Sequence, residues 1–367
     1  MKSKHYLHGG DLDAVSIKHN IDRNSIWDFS GNINPLGISP KTREALKENI
    51  DLIATYPDRN YTKLKEVIST YAQVDSNHII VGNGSTELIA MTIKCIKPQK
   101  ALVLGPTYSE YEREINLLGG LCDYYPLQES NDFRLDTEDF IASLSVDYDL
   151  LIICNPNNPT GTGISADHLK RILEITQKLH IFTMIDETYV EFCDDPGVYS
   201  AVPLTLIFDH LLVLRGISKF FAAPGLRFGY GISSNAPLKA TLLKLQNPWS
   251  INSLADFAVQ MMLTDQTYIS DTHRLFVSER KRIVNELSAV KELHLFEPAA
   301  NFVLIKILTE SISSDYLLHE LLKDHILIRD ASSFPFLSDG YIRFCFLNPE
   351  QNDILISKLK TLIKNRG

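Results

Sequence analysis

The middle of the chain alternates short apolar runs with longer segments of helical period. HIIVG (78–82), ALVLG (101–105), DLLIICNP (149–156), IFTMIDE (181–187), LLVLRG (211–216) and RFGYGI (227–232) read as strands. DLLIICNP is continuously apolar, as a strand buried on both faces must be. Between the first two, Leu88, Ile89, Ile93 and Ile96 share one helical face, and Ser85 reads as the cap of that helix. A second helix is predicted around 165–179. Strand–helix–strand alternation of this kind predicts a mostly parallel sheet covered by helices. Beyond about residue 250 the texture changes. A long helical region (253–290) precedes strands FVLIKI (302–307), ILIRD (326–330) and YIRFCF (341–346), with a helix between the first two and another at the C-terminus. That pattern suits a smaller α+β domain. The turn-forming start, with HGGDLD and DFSGNINPLG, reads as an arm crossing the surface. The expected division is an arm over 1–44, packing on the small domain and active site, a large domain over 45–250 and a small domain over 251–367.

Composition narrows the function classes. The 367 residues are 44% hydrophobic and 22% charged, which is globular composition. The formal net charge of −9 argues against a nucleic-acid surface, which wants a basic face. No apolar run approaches the ~20 residues of a membrane-spanning helix. The N-terminus, MKSKHYLHGGDLD, has no apolar stretch behind its lysines and does not read as a signal peptide. Cys95, Cys122, Cys154, Cys193 and Cys345 are scattered and odd in number, so they read as reduced thiols of a cytoplasmic protein. No metal site is expected.

Candidate chemistry gathers at predicted strand ends, where open parallel sheets bind ligands. Gly82-Asn83-Gly84-Ser85-Thr86 lies between a strand and its helix. Asn155-Pro156-Asn157-Asn158-Pro159-Thr160-Gly161 follows a second strand, Asp186-Glu187-Thr188-Tyr189 a third, and Ser218-Lys219 a fourth. Each alone has a plain reading as turn, cap or surface lysine. GNGST satisfies neither the dinucleotide fingerprint nor the P-loop, yet it is a Gly-rich entry to a helix N-terminus, where free N–H groups favour phosphate. Together the four supply what pyridoxal phosphate needs: a lysine for its aldehyde, an acid for its pyridine nitrogen and a cup for its phosphate.

These motifs, in this order, resemble fold-type I pyridoxal 5'-phosphate enzymes of the aspartate aminotransferase superfamily. IDETY, NPNNPTG and SKFFAAPGLRFGY are similar to those of histidinol-phosphate aminotransferases and their relatives. The resemblance implies a PLP-dependent transferase fold, α/β, with a mostly parallel central sheet in a large domain plus a smaller α+β domain. It assigns Lys219 to the cofactor's aldehyde and Asp186 to the pyridine nitrogen. Tyr189 and Asn158 fall to the phenolic oxygen, and Tyr108 to stacking on the ring. Gly84, Ser85, Ser218 and Arg227 fall to the phosphate, for which a guanidinium fork is well suited. Tyr56, in TYPDRNYTKLK, matches a tyrosine that relatives send to the neighbouring subunit's phosphate, which implies a homodimer with shared active sites. Where many relatives carry Ser or Thr three residues before the lysine, this chain has Gly216.

The same resemblance bears on the reaction. Arg343, in YIRF, matches the carboxylate-binding arginine, and Arg329, in LIRD, an arginine used for substrate phosphate. HGG (8–10) and DFSGNINPLG (28–37) look like the threonine-phosphate decarboxylases of cobalamin biosynthesis, in which the residues matching His8 and Asn32 border the substrate pocket; Asn158 also faces substrate. Leu347 stands where those decarboxylases often have a basic residue. The resemblance thus implies decarboxylation of a small O-phosphoamino acid, L-threonine or L-serine phosphate. The alternative is transamination of histidinol phosphate or an aromatic amino acid with 2-oxoglutarate. A DNA-binding regulator built on the same fold is disfavoured by the acidic charge and by the lack of spare residues for a helix-turn-helix.

Overall fold

The continuously apolar runs become the buried strands of a seven-stranded sheet. The computed structural model describes residues 9–366. In chain order its strands are β1 (Trp27–Asp28), β2 (Ile79–Gly82), β3 (Lys100–Gly105), β4 (Leu121–Pro126), β5 (Leu150–Cys154), β6 (Phe182–Asp186), β7 (Leu211–Gly216), β8 (Gly229–Ile232), β9 (Leu293–Phe296), β10 (Phe302–Ile307), β11 (Ile326–Leu327), β12 (Arg329–Asp330) and β13 (Tyr341–Cys345). The large sheet has the order β2-β8-β7-β6-β5-β3-β4. Its pairings are parallel except those of β8, which runs against both β2 and β7. Every residue of β5, β6 and β7 is buried, because helices cover both faces. The helix Ala166–Lys178 shows how: Leu169, Ile172, Leu173 and Thr176 face the sheet, and the Ser165 hydroxyl caps its first turn at His168.

Ser85 does not cap the helix that follows β2. It is the first residue of Ser85–Ile96, and Gly84 stands at the cap with φ +80°, a conformation that favours glycine. The Ser85 hydroxyl is thereby left to the adjoining cavity. Gly229 is needed for the same packing, since a Cβ there would lie 2.4 Å from the Ser85 amide nitrogen.

A second sheet, β12-β13-β10-β9, is antiparallel throughout. Three strands escaped the sequence pattern, the two-residue β1 among them. β4 is a half-exposed edge with Asp123 at its centre, and β9 is four residues long. ILIRD is not one strand. Ile326–Leu327 pairs in parallel with β1, and Arg329–Asp330 pairs with β13. The long helical region is likewise two helices, Ser253–Thr264 and Gln266–Leu287, divided at Asp265, whose carboxylate caps the second at the Tyr268 amide. Among the described residues no helix is long and apolar enough to cross a membrane, and all five cysteines are free thiols.

The N-terminal segment does more than cross the surface. Its helix Leu12–His19 buries no residue, but Phe29, Ser30, Asn32 and Asn34 are all buried. The Phe29 amide donates to the Leu327 carbonyl (2.9 Å), and its carbonyl accepts from the Cys345 amide (2.9 Å). The Asn34 amide donates to the Lys219 carbonyl (3.1 Å). The Asn34 side-chain nitrogen lies 2.8 Å from the Phe220 carbonyl, 3.0 Å from the Tyr268 hydroxyl and 3.0 Å from Thr272 Oγ1. Backbone polar groups buried at this depth must be paired, and the strap pairs them. Asn34→Ala removes a buried two-hydrogen donor shared among three neighbouring oxygens and should cost about 2–4 kcal/mol in urea unfolding; a loss under about 1 kcal/mol would show that the strap is not held by this side chain.

Candidate active site

A cavity of about 260 Å³ opens at the carboxyl ends of the parallel strands, between the large sheet, the strap and β12–β13. Ser85, Tyr108, Asn158, Asp186, Tyr189, Ser218, Lys219 and Arg227 reach it from the large domain, Asn32 from the strap, and Arg329 and Arg343 from the small domain. Gly84 stands just behind, where a Cβ would come within 2.6 Å of the Arg227 guanidinium. Tyr56 is remote in this single chain: it is 78% exposed, with its ring 4.7 Å from that of Trp249. His8 lies outside the described residues.

Asp186 ends β6 and is buried. Its Oδ2 accepts from the Tyr111 hydroxyl (2.7 Å), and its Oδ1 accepts from the Thr188 amide (3.0 Å) and hydroxyl (2.6 Å). The carboxylate is therefore fixed in orientation. The next residue, Glu187, is buried in an ion pair with Arg215 of β7 (2.8 and 3.0 Å), which ties the end of β6 to the strand that leads to Lys219. Tyr111 and Thr188 were not singled out in the sequence, although each sits within three residues of a residue that was. Tyr108 meets Tyr111 edge to face at 5.6 Å, and burial, reinforced by Glu110 and Asp186, pushes its phenol up to about 12.

Lys219 is half-buried, and its Nζ donates to the Gly31 carbonyl (2.6 Å). Burial above all, and then the nearby Arg343, pulls its pKa down to about 8. A neutral, nucleophilic amine is thus accessible near neutral pH. At one end of the cavity, Ser85 and Thr86 begin a helix whose first-turn N–H groups have no partner within the helix. Arg227 sits beside them with a left-handed backbone (φ +54°). It makes no ion pair with a carboxylate among the described residues. Gly216 adjoins the same cradle: a Cβ there would lie 3.4 Å from the Phe228 carbonyl and 4.0 Å from Ser85 Oγ.

The opposite wall carries two guanidinium groups in an unfavourable register. Arg329 and Arg343 are direct cross-strand partners on β12 and β13. Arg343 is buried, donates to Asn158 Oδ1 and to the Ser30 carbonyl, and lies over Phe302 at 5.2 Å. Its Nε is buried without a partner, as is Asn32 Oδ1, and no carboxylate pairs with it among the described residues. Burial lowers the pKa of Arg343. Burial, and then Arg343, pulls that of Arg329 to about 10, while Arg329 donates to Ser333 Oγ (2.7 Å). The Tyr189 hydroxyl, pushed up by burial, accepts from Asn32 Nδ2 (3.3 Å). The cavity therefore presents a fixed carboxylate at its floor, a depressed lysine at its centre and cations at both ends.

Comparison with known proteins agrees. The profile of the family "Aminotransferase class I and II" matches residues 24–359. A Caldanaerobacter subterraneus protein provisionally named threonine-phosphate decarboxylase is 37% identical over 98% of this chain and 95% of its own length. The threonine-phosphate decarboxylase of Salmonella typhimurium is 32% identical over 97% of this chain and 96% of its own. Among solved structures, the histidinol-phosphate aminotransferase of Clostridium acetobutylicum superposes with a TM-score of 0.85 at 35% identity, covering 92% of this chain and 99% of that one. The chain belongs to the class I and II aminotransferase family, on the aspartate aminotransferase-like fold-type I scaffold, with pyridoxal 5'-phosphate as its cofactor.

Proposed function

We propose that the protein is a pyridoxal 5'-phosphate-dependent decarboxylase of a small O-phosphoamino acid, L-threonine O-3-phosphate before L-serine phosphate. The observation that carries this reading is the arm. Gly9, in the part of the arm that the structure describes, packs onto the same wall as Arg343: a Cβ there would lie 2.3 Å from the Ser30 carbonyl and 3.2 Å from the Arg343 guanidinium. Sequence identity to the threonine-phosphate decarboxylases over nearly the whole chain supports it.

The residues suit the cofactor. The helix N-terminus at Ser85, the Ser218 hydroxyl and Arg227, with Gly84 leaving room for the guanidinium, hold the phosphate dianion. Asp186 meets the pyridine nitrogen as a carboxylate fixed by Tyr111 and Thr188. Tyr108 covers the ring, and Tyr189 and Asn158 serve the phenolic oxygen. When bound, the cofactor supplies an electron sink that makes the bonds at the substrate's α-carbon labile. The protein then decides which bond breaks by how it holds the rest of the substrate. Arg343, oriented by Asn158 and the Ser30 carbonyl, takes the α-carboxylate. Arg329, with Ser333, takes the substrate phosphate, and Asn32 borders it; the motif resemblance alone assigns His8 to the same role. Lys219 moves the proton to the α-carbon once the carboxylate has left. The partner subunit completes the cofactor site through Tyr56, which is exposed beside the ring of Trp249 and so open to a second copy of the chain.

Transamination remains the second reading, favoured by the 35% identity to a histidinol-phosphate aminotransferase. The deciding assay offers L-threonine phosphate, L-serine phosphate and histidinol phosphate to the cofactor-loaded protein, each with and without 2-oxoglutarate. Carbon dioxide released from threonine phosphate with no need for the keto acid is the expected result. Glutamate formed only when 2-oxoglutarate is present would replace the decarboxylase by an aminotransferase.

Two further outcomes follow from the site. The folded protein holds Lys219 below the ordinary lysine value of 10.5, so its neutral form accumulates as pH rises through about 8. The rate at which cofactor-free protein develops the visible absorbance of lysine-bound cofactor should climb about tenfold per pH unit below that point and level off above it; a midpoint near the ordinary lysine value would refute the depression. Gly216→Ser should be accommodated, since no contact closer than 3.4 Å awaits its Cβ. Its hydroxyl adds a phosphate donor and should slow cofactor loss several-fold in dialysis, worth about 1 kcal/mol; faster loss than wild type would mean the cradle has no room for it.

A further inference from the structure

The turn Asp28–Gly31 sits where three otherwise separate features meet, and the mechanism above uses only its carbonyls. Asp28 is half-buried. Its Oδ1 accepts from the Ser30 amide (2.8 Å), the Ser30 hydroxyl (2.6 Å) and the Gly31 amide (3.1 Å). The closed turn points the Ser30 carbonyl at Arg343 and the Gly31 carbonyl at Lys219. The Ser30 hydroxyl in turn accepts from the Gly10 amide (3.0 Å), which joins the HGG arm to the same carboxylate. The backbone on either side is pinned, because the Phe29 amide and carbonyl bond to Leu327 and Cys345. Gly31 has no freedom to carry a side chain, since a Cβ would lie 2.6 Å from Asp28 Oδ2. Asp28 makes no ion pair within 4.0 Å among the described residues, so its charge acts on the site through space.

We propose that Asp28 is a positioning residue: it closes the turn that aims two carbonyls at Arg343 and Lys219, and its carboxylate is the counter-charge that the two cations share. The inference rests on the reading of Lys219 as the cofactor lysine. Four ionisable groups act on the lysine from three directions. Arg343 and Cys345 act from β13, Arg227 from the turn before β8 and Asp28 from the strap. The two arginines favour the neutral amine, whereas Asp28 and Cys345 favour the ammonium. A buried thiol such as Cys345, pushed up to about 12, carries no charge at neutral pH, so Asp28 is the acting anion of the set. Asp28 also favours the charged form of Arg343.

Charge and turn geometry can be separated experimentally. Asp28→Asn keeps an oxygen acceptor for the turn and removes the charge. Its midpoint for cofactor capture by the cofactor-free protein should fall by about half to one pH unit below the wild-type value. Ser30→Ala cuts the link to Gly10 and leaves the charge in place. It should keep the wild-type midpoint while raising the KM for the phosphoamino acid several-fold at little cost in kcat. Melting temperatures and circular dichroism establish that each variant is folded. A wild-type midpoint in folded Asp28→Asn overturns the proposal, and so does a shift in Ser30→Ala as large as that in Asp28→Asn. Lys219→Ala is the control on the underlying reading: if it develops the same visible band as wild type, the assignment of the lysine fails, a result distinct from an unmoved midpoint in Asp28→Asn.

Discussion

The structure depends on crowding positive charge onto the walls of one half-buried cavity. Lys219, Arg329 and Arg343 approach one another where water is scarce, and two of them are direct cross-strand neighbours. Like charges opposite each other weaken a sheet, and desolvated cations weaken a fold. The sheet register nevertheless places them there, and no carboxylate pairs directly with Arg343 among the described residues. Such an arrangement is tolerated when the surroundings supply oriented dipoles and when the natural ligand is an anion. The Ser30 and Gly31 carbonyls, Asn158 Oδ1 and the faces of Phe302 and Phe334 supply the dipoles and the quadrupoles.

This requirement accounts for the path of the N-terminal strap. An arm lying on the surface would leave Arg343 and Lys219 facing each other with nothing between them. Threaded between the two sheets and pinned at Phe29 and Asn34, the same residues deliver their carbonyls to both cations. The large sheet plays the complementary part. Its parallel strands end together, and the Glu187–Arg215 pair holds two of those ends in register, so Asp186 and the segment carrying Lys219 keep a fixed relation.

How far the sequence revealed this follows from what each residue reports on locally. Strands buried on both faces advertise themselves as unbroken apolar runs, so β5, β6 and β7 were legible within a residue or two. β4 was not, because an edge strand with one wet face and a central Asp123 carries no such run. ILIRD resembled a single strand, since hydrophobicity cannot tell that its two halves pair with different sheets. Ser85 has a cap's chemistry, but Gly84 ahead of it takes the cap position, which frees the serine for the cavity. The residues that the motif resemblance assigns to the cofactor line one cavity, apart from Gly84, which stands just behind it, and Tyr56, which is not among its lining residues. Tyr111 and Thr188 act only by gripping Asp186, and nothing in their own neighbourhoods signals that. Asp28 did leave a trace: Asp-x-Ser-Gly is the pattern of a side chain closing its own turn.

The division of labour between the two walls explains why the core motifs alone do not specify a reaction. On the proposed reading, the residues assigned to the cofactor come from the large sheet and its loops, and they would serve decarboxylation or transamination equally. Those assigned to the substrate lie mostly on β12, β13 and the strap. There Arg343 is held from two sides, by Asn158 and by Ser30. A guanidinium so constrained would hold a substrate carboxylate in one orientation, and the bound cofactor would supply the electron sink that makes bonds at the α-carbon labile. On the proposed reading, the choice between chemistries rests on how Asn158 and the strap hold Arg343, a matter of packing around the substrate rather than of the groups assigned to the cofactor.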